Sequence, residues 1–337
     1  VTGIPYYTPY QLVYNEDGTL SYGDVYEVYP WDNSIDLNEY YKKNTNDREV
    51  VSLMGQTFFL FTPLKGLNIR LQQAADAFDY TNQSIYYPSY TPSSARGSNS
   101  QAFQRYSQLS STNTVEYKND MAGKHFFTFL LGHESFVKKE KTFSMLGSGL
   151  TDDRLVSIGS ATSIDSWAGG TIECAFNSFF FNMNYDFSGK YFLDASVRTD
   201  GSSLFGKNHR YATFYSVGGM WKMKREPFLL NVSWLDDLNM NLSYGTTGNS
   251  GLSEWYASLG LVGSGPKYNG NAGWAISQIP NSDLTWETVA TLNYKISGRV
   301  FDRFSFGVEL YNKQSKNLLM EIPYSATTGH ASGWGNV

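Results

Sequence analysis

Cysteine is nearly absent from this chain of 337 residues, in which Cys174 stands alone. One thiol can build neither an internal disulfide framework nor a cysteine zinc site, so Cys174 reads as a small residue in a strand. Long apolar runs are missing as well. The most apolar stretch, Phe126 to Leu131, falls far short of the ~20 residues that a membrane-spanning helix needs. Basic excess is lacking too. Lys and Arg number 26 against 31 Asp and Glu, a net charge of -5 with both signs spread along the chain, and this sets nucleic acid aside as a partner. The four histidines (His125, His133, His209 and His330) show no ligand spacing. His133-Glu134 lacks the second histidine that a zincin helix places four residues on, where Val137 stands. Gly263-Ser264-Gly265 is no phosphate-binding fingerprint, because strand and helix do not flank it. No catalytic residue, metal or cofactor is called for. No signal peptide is visible at Val1, so the sequence is expected to be mature or a fragment.

Aromatic residues are abundant, at 16% of the chain with 25 Tyr, 22 Phe and 8 Trp. A soluble domain rarely needs so many, whereas a barrel wall with two interfacial girdles does. The mean hydropathy of -0.37 does not oppose a membrane location, because a barrel strand shows lipid only every second side chain. That alternation runs from Arg48 almost to the end. In 191–198, Tyr191, Leu193, Ala195 and Val197 oppose Phe192, Asp194, Ser196 and Arg198. In 238–245, Leu238, Met240, Leu242 and Tyr244 oppose Asn239, Asn241, Ser243 and Gly245. Period 2 means strands, since a helix would repeat near 3.6. About ten strands are predicted, at 49–61, 67–87, 102–118, 124–138, 171–186, 190–199, 211–223, 237–247, 284–297 and 302–319.

The connections alternate in length. Those at 62–66, 119–123, 186–189 and 298–301 are tight, and the segments 88–101, 139–170, 200–210 and 248–283 are long and polar or rich in Gly and Ser. Short turns on one side and long loops on the other mark an outer-membrane barrel. Lys224 to Asp236 breaks the rhythm and is expected to carry a helical turn through Glu226-Pro227-Phe228-Leu229. A soluble sandwich also alternates, but its strands are shorter, about 5–6 residues. The fold class predicted is all-β, a transmembrane antiparallel β-barrel over 49–337. Residues 1–48, rich in Tyr, Pro and turn pairs, are expected to form an extracellular loop or lid-like segment, with a helix around Leu37–Lys42.

An ordered series of motifs resembles the SusC/RagA family of TonB-linked outer-membrane transporters. It begins with Pro63-Leu64-Lys65-Gly66-Leu67 and Leu131-Gly132-His133-Glu134, then Tyr185-Asp186-Phe187-Ser188-Gly189-Lys190-Tyr191. Ala195-Ser196-Val197-Arg198-Thr199-Asp200-Gly201-Ser202-Ser203 follows, with Thr213 to Trp221, Glu226-Pro227-Phe228 and Trp234-Leu235-Asp236-Asp237-Leu238. Ser243-Tyr244-Gly245-Thr246-Thr247-Gly248-Asn249, Leu284-Thr285-Trp286-Glu287 and Tyr311-Asn312-Lys313 complete it. Position 204 is Leu where the family usually has Arg, and position 282 is Ser where it often has Pro. The resemblance implies a 22-stranded plugged barrel, a class of outer-membrane transporter, of which this chain is a part. It also implies import of oligosaccharides or peptides, a SusD-like surface lipoprotein as partner, and drive from TonB-ExbB-ExbD through a segment not in this sequence. A passive porin is the rival function, and a secreted carbohydrate-binding or hydrolytic β-protein the third.

Two sets of residues are candidates for the site. Loop aromatics at Tyr86, Tyr87, Tyr90, Trp255, Tyr256, Tyr268 and Trp274 can stack on sugar faces or grip a peptide, and serve equally as an outer girdle or as contacts to a partner protein. Asp194 and Arg198 share the face predicted to line the lumen and are expected to pair with plug or barrel groups. Asp200-Gly201-Ser202-Ser203 is taken as a turn rather than an ion site.

Overall fold

The computed structural model describes residues 44–88, 97–252 and 254–337. Nearly all of the segment expected to be lid-like, including the helix around 37–42, lies outside them, as does Tyr90. Ten strands form one antiparallel sheet: β1 (Thr45–Leu64), β2 (Leu67–Tyr86), β3 (Gly97–Met121), β4 (His125–Leu150), β5 (Ser163–Phe187), β6 (Tyr191–Ser202), β7 (Tyr211–Lys222), β8 (Leu235–Asn249), β11 (Glu287–Val300) and β12 (Phe304–Lys316). Their order in the sheet follows their order in the sequence. Between β8 and β11 stands a separate hairpin of β9 (Leu261–Tyr268) and β10 (Asn271–Gln278), and β13 (Leu319–Pro323) pairs with β14 (Ser332–Asn336) at the end.

The number of main strands agrees with the sequence pattern, but their lengths do not. β4 runs on to Leu150 and β5 starts at Ser163, so the long loop predicted at 139–170 shrinks to 151–162. β1 opens at Thr45 and β3 at Gly97. The cause is physical. Beyond the lipid both faces of a strand meet water, so the apolar alternation stops while the backbone ladder continues. The β9–β10 hairpin stands where the sequence predicts a long loop, and its turn is Tyr268-Asn269-Gly270-Asn271. It is a two-residue turn with φ of 49° at Asn269 and 81° at Gly270, the geometry that Asn-Gly favours in a hairpin.

Contacts gather the described residues into two compact units, one built on the stretch up to Leu53, Asp76–Ser107 and Lys139–Ile172, the other on Met54–Ala75, Gln108–Lys138 and Glu173–Val337. In the first, Arg105 makes a bidentate pair with Asp79 at 2.8 and 2.6 Å, and Asn99 donates to the Val156 carbonyl at 2.6 Å. Its loop at 151–162 is stiffened by Asp152, which takes both Nε (2.9 Å) and a terminal nitrogen (2.7 Å) of Arg154. Those bonds hold the Asp152 carboxyl well below the usual carboxylate range.

The second unit carries the sheet's regular register. From β5 to β12 the cross-strand rows separate by chemistry. Tyr185, Leu193, Gly219, Leu242, Tyr294 and Leu310 form one row. The next row on the opposite face reads Asn184, Asp194, Gly218, Ser243, Asn293 and Tyr311. Because the pleat alternates, every residue two along a strand stays on its face. Val197, Tyr215, Val217, Leu242 and Phe306 stay exposed on the apolar face, so that face is made for lipid. The polar face is the inner one.

An aromatic row bounds the apolar face at the short-turn end, and single rings at Tyr211 and His133 mark the other. At the short-turn end, Phe187, Tyr191 and Trp221 are paired across β5, β6 and β7 with ring centroids 6.2 and 6.3 Å apart. His125 Nδ1 lies 2.8 Å from the Tyr185 hydroxyl. At the other end, Asn177, Gly201 and Tyr211 share a row, and His133 Nε2 lies 2.7 Å from Asn177 Oδ1. Ten residues separate Tyr191 from Gly201, about 34 Å along a strand. At the ~40° tilt of membrane strands this spans about 25 Å, the height of an outer-membrane apolar band.

The short turns use left-handed residues, Ala122-Gly123 and Ser188-Gly189 with φ between 53° and 64°. The longer one carries the helical turn expected from its sequence, α1 (Pro227–Leu230), with Pro at its first position. Lys224 Nζ donates to the carbonyls of Leu229, Leu230 and Val232 at 2.7–3.3 Å, satisfying acceptors that a helix end leaves bare. The buried Glu226 carboxylate accepts from Trp221 Nε1 at 3.2 Å and lies 3.6 Å from Lys190 Nζ.

Candidate functional site

At the long-loop end of the second unit, the loops fold onto the sheet and make a small core. Phe205 and Leu284 are fully buried, with Cys174, Leu204, Phe214, Leu252, Ala257 and Trp286 beside them. Trp286 sits 4.6 Å from the Phe205 ring and edge-on to Phe214 at 5.8 Å, and its Nε1 donates to the Arg210 carbonyl at 3.1 Å. The Gly206 N–H donates to the Leu284 carbonyl at 2.9 Å. A Cβ on Gly206 would overlap the Ser282 carbonyl, so only glycine lets the two loops touch here. Each fully buried large side chain contributes about 1.5–3 kcal/mol, which fixes segments that composition alone marks as loose. Phe214 and Phe176 belong to the inner-face parity of β7 and β5. The core therefore grows on the polar side of the sheet.

Below it lies a polar cluster. Arg198 donates from Nε to Asp200 at 2.5 Å and from a terminal nitrogen to Glu134 at 3.0 Å, reaching across β5 to β4. Its guanidinium also lies 5.4 Å from the centroid of Phe180. The Phe180 ring covers Gly132, where a Cβ would collide with it. Asp194 accepts from the amide of Asn184, its cross-strand partner in the same row. Asp194 and Arg198 share a face and one wide polar groove of about 840 Å³ with Asn182, Ser196, Ser243 and Asn293, but each takes a different partner. Cross-strand hydroxyls continue the polar surface, as in Ser196 to Ser216 at 2.7 Å. Past Ser216↔Gly245 the β7–β8 ladder ends and the Thr246 hydroxyl takes over, accepting from the Tyr215 N–H at 3.1 Å and donating to its carbonyl at 3.4 Å.

Asp200-Gly201-Ser202 is the end of β6, so the turn expected over 200–203 starts only at Ser203. Ser203 Oγ accepts from the Ala175 N–H at 3.0 Å, and Ser202 Oγ from the Leu204 N–H at 3.3 Å. His133 faces outward, bonded to Asn177. Among the described residues no group of His, Cys, Asp and Glu is arranged to hold a metal.

The loop aromatics do not form one cluster. Tyr87, half-buried, donates its N–H to Asn44 Oδ1 at 2.9 Å, and Tyr86 ends β2. Trp255 packs against the core, and the Tyr256 hydroxyl accepts from the Glu173 N–H at 2.9 Å. Trp274 is 76% exposed on β10, sharing a hairpin face with the exposed Val262 and Ile276. Tyr268 closes β9. Glu134 and Asp200, weighed as metal or ion ligands and set aside, make with Phe180 and Gly132 the tightest constellation, around Arg198. Their signal was present, since all four share inner-face parity with Arg198, but β4 and β5 had not been set in register.

A sheet apolar on one face and polar on the other, with an aromatic row at the short-turn end and long loops at the other, defines the wall of an outer-membrane β-barrel. The chain belongs to the TonB dependent receptor-like, beta-barrel family, which it matches over residues 5–337. TonB-dependent receptor P26 of Formosa agariphila is 27% identical over 98% of this chain and 34% of its own length. TonB-dependent receptor SusC of Bacteroides thetaiotaomicron is 32% identical over 43% of this chain and 15% of its own. The solved RagAB peptide transporter superposes with a TM-score of 0.84 at 30% identity, over 95% of this chain and 36% of that one. The chain thus spans about a third of the length of P26 and of the RagAB transporter chain. The protein is of the outer membrane, and the reading as a secreted β-protein is excluded.

Proposed function

We propose that this chain forms part of the wall of a plugged, TonB-energised importer that takes oligosaccharides or peptides from a SusD-like surface lipoprotein. Membership of the TonB-dependent receptor family and the likeness to the RagAB transporter and to SusC support that reading. The observation that carries it is the packed core on the inner face at the long-loop end. A passive pore gains nothing from side chains closing over its polar surface, whereas a gated path needs a fixed frame against which a plug moves. In the same reading the barrel is completed to 22 strands by the rest of the protein, residues 1–48 form an extracellular loop or lid, and the aromatics Tyr87, Tyr90, Trp255, Tyr256 and Trp274 contribute to cargo contact. The chemistry is transport, with no reaction catalysed by these residues.

Uptake of labelled oligosaccharide and peptide mixtures by cells expressing the full-length protein tests the proposal, with and without a working TonB. Uptake that stops when TonB is lost is the expected result. Uptake that continues, with open conductance of the purified protein in a planar bilayer, favours the passive porin instead.

A further inference from the structure

A cavity of about 180 Å³ opens beside the loop-borne core, on the inner face of β4 and β5. Phe136, Phe176, Leu204, Leu252 and Trp255 wall it, and Cys174, Ala175 and Lys138 complete the lining with two serines, Ser202 and Ser250. Phe136 and Phe176 stack with centroids 5.1 Å apart and planes 7° off parallel. Lys138 places its Nζ 5.0 Å from the Phe136 centroid. No carboxylate among the described residues stands within ion-pair distance of Lys138. Among the described residues, what stands close to its positive charge is a ring face.

Three features select the occupant. Size comes first, since ligand sites for whole small molecules run to ~300–1,000 Å³ and this cavity takes one side chain or one ring. Wall chemistry comes second. A hexose placed here would press hydroxyls against Leu204, Leu252 and Phe176, and each unpaired hydroxyl costs about 1–3 kcal/mol. An apolar side chain meets no such penalty. Charge comes third, because a half-buried ammonium over an aromatic wall favours an anion at the mouth of the cavity. We propose that this cavity binds an apolar residue bearing a free α-carboxylate, with the side chain between Phe176, Leu252 and Trp255 and the carboxylate on Lys138. The C-terminal residue of a peptide and a free apolar amino acid both present that chemistry. This inference rests on the import reading above and deepens it, naming the group of the cargo that this end of the wall holds.

Cys174 supplies the probe. In the purified full-length protein, modification of Cys174 by methyl methanethiosulfonate is followed by mass spectrometry of its peptide. The additions are N-acetyl-Gly-Phe, its C-terminal amide, free phenylalanine or D-glucuronate. At about ten times its Kd the peptide acid slows modification about tenfold, since only the empty site reacts, while the amide gives little protection. Free phenylalanine equal to the peptide acid assigns the site to amino acids, and a weaker effect assigns it to peptide ends. Lys138→Gln abolishes the difference between acid and amide, and Lys138→Arg restores it. Calorimetry with the same compounds gives a readout independent of the thiol. Equal protection by acid and amide, stronger protection by D-glucuronate, or no calorimetric binding of the peptide acid to the wild type overturns the proposal. Binding is measured without transport, so a failure here leaves the import reading standing, and loss of TonB dependence leaves this binding unaffected.

Discussion

Arg198 reaches across a whole strand to Glu134, with 3.0 Å between guanidinium and carboxylate, because the Phe180 ring between them lies flat over Gly132. A standing phenyl ring on β5 would block the path from β6 to β4. The absence of a side chain at Gly132 gives the ring somewhere to lie.

Replacing Arg198 with Met leaves Glu134 and Asp200 facing each other without a cation. Arg198 and Glu134 are more than a third exposed, so water screens the loss, and about 1 kcal/mol is expected. Urea unfolding of the full-length protein, read by heat-dependent gel mobility, measures it. Glu134→Gln costs less, because Asp200 still holds the arginine. An unchanged midpoint for Arg198→Met would remove the cluster from the account.

Gly132→Val drives a branched side chain into the Phe180 ring and is expected to cost about 1–3 kcal/mol by overpacking. Phe180→Ala in the same chain makes room, so the double variant recovers part of the loss. A double-mutant cycle separates this coupling from a general intolerance of side chains at 132. Additive effects contradict the contact.

The turn carrying α1 is expected to loosen in acid. The Tyr191 hydroxyl, then Trp221 Nε1 and Lys190, hold the Glu226 carboxyl below its ordinary value. A depressed folded value means that the contribution is complete above the unfolded value, about 4.3, and is lost as pH falls through the lower folded one. Hydrogen exchange of 223–234 between pH 6 and about pH 3 tests this. Wild-type protection drops across that window, and Glu226→Gln shows low protection throughout with little pH dependence. Equal pH profiles for the two proteins would count against the contact.

The two faces of β6 make a sharper contrast. Val197 points to lipid, between the levels of Tyr191 and Tyr211, and Ser196 to the inner side. Val197→Arg is expected to cost about 2–4 kcal/mol, as for a basic residue near the bilayer midplane, and Ser196→Arg under about 1. Denaturant unfolding of the two full-length variants in liposomes separates them.

What the sequence made legible follows from where water lies. Tyr191 to Arg198 could be assigned to two faces without coordinates because one side meets lipid and the other does not. Phe143 to Leu150 and Ser163 to Gly170 could not, since apolar and polar residues do not alternate there. The helical turn at Pro227 was visible because proline at a first helical position is a local signal. Trp255 and Tyr256 were candidates for ligand contact on their position in a long loop. Their packing depends on Phe205, Leu284 and Glu173, which lie far away in sequence and become neighbours only when β5, β6 and β11 are in register. Arg198 was a candidate from its face alone, but its pairing with Glu134 was not legible, since a face is legible along one strand and a pair needs two.

The central claim is that odd positions of β6 face lipid and even positions face the inner side. Spin labels placed singly at 193, 194, 195, 196, 197 and 198 of the full-length protein in liposomes, read by collision with oxygen and with a water-soluble nickel chelate, test it directly. Oxygen accessibility peaking at 193, 195 and 197, with nickel accessibility higher at 194, 196 and 198, is the predicted result. The reverse phase, which a one-residue slip in register would produce, or no alternation at all would contradict it.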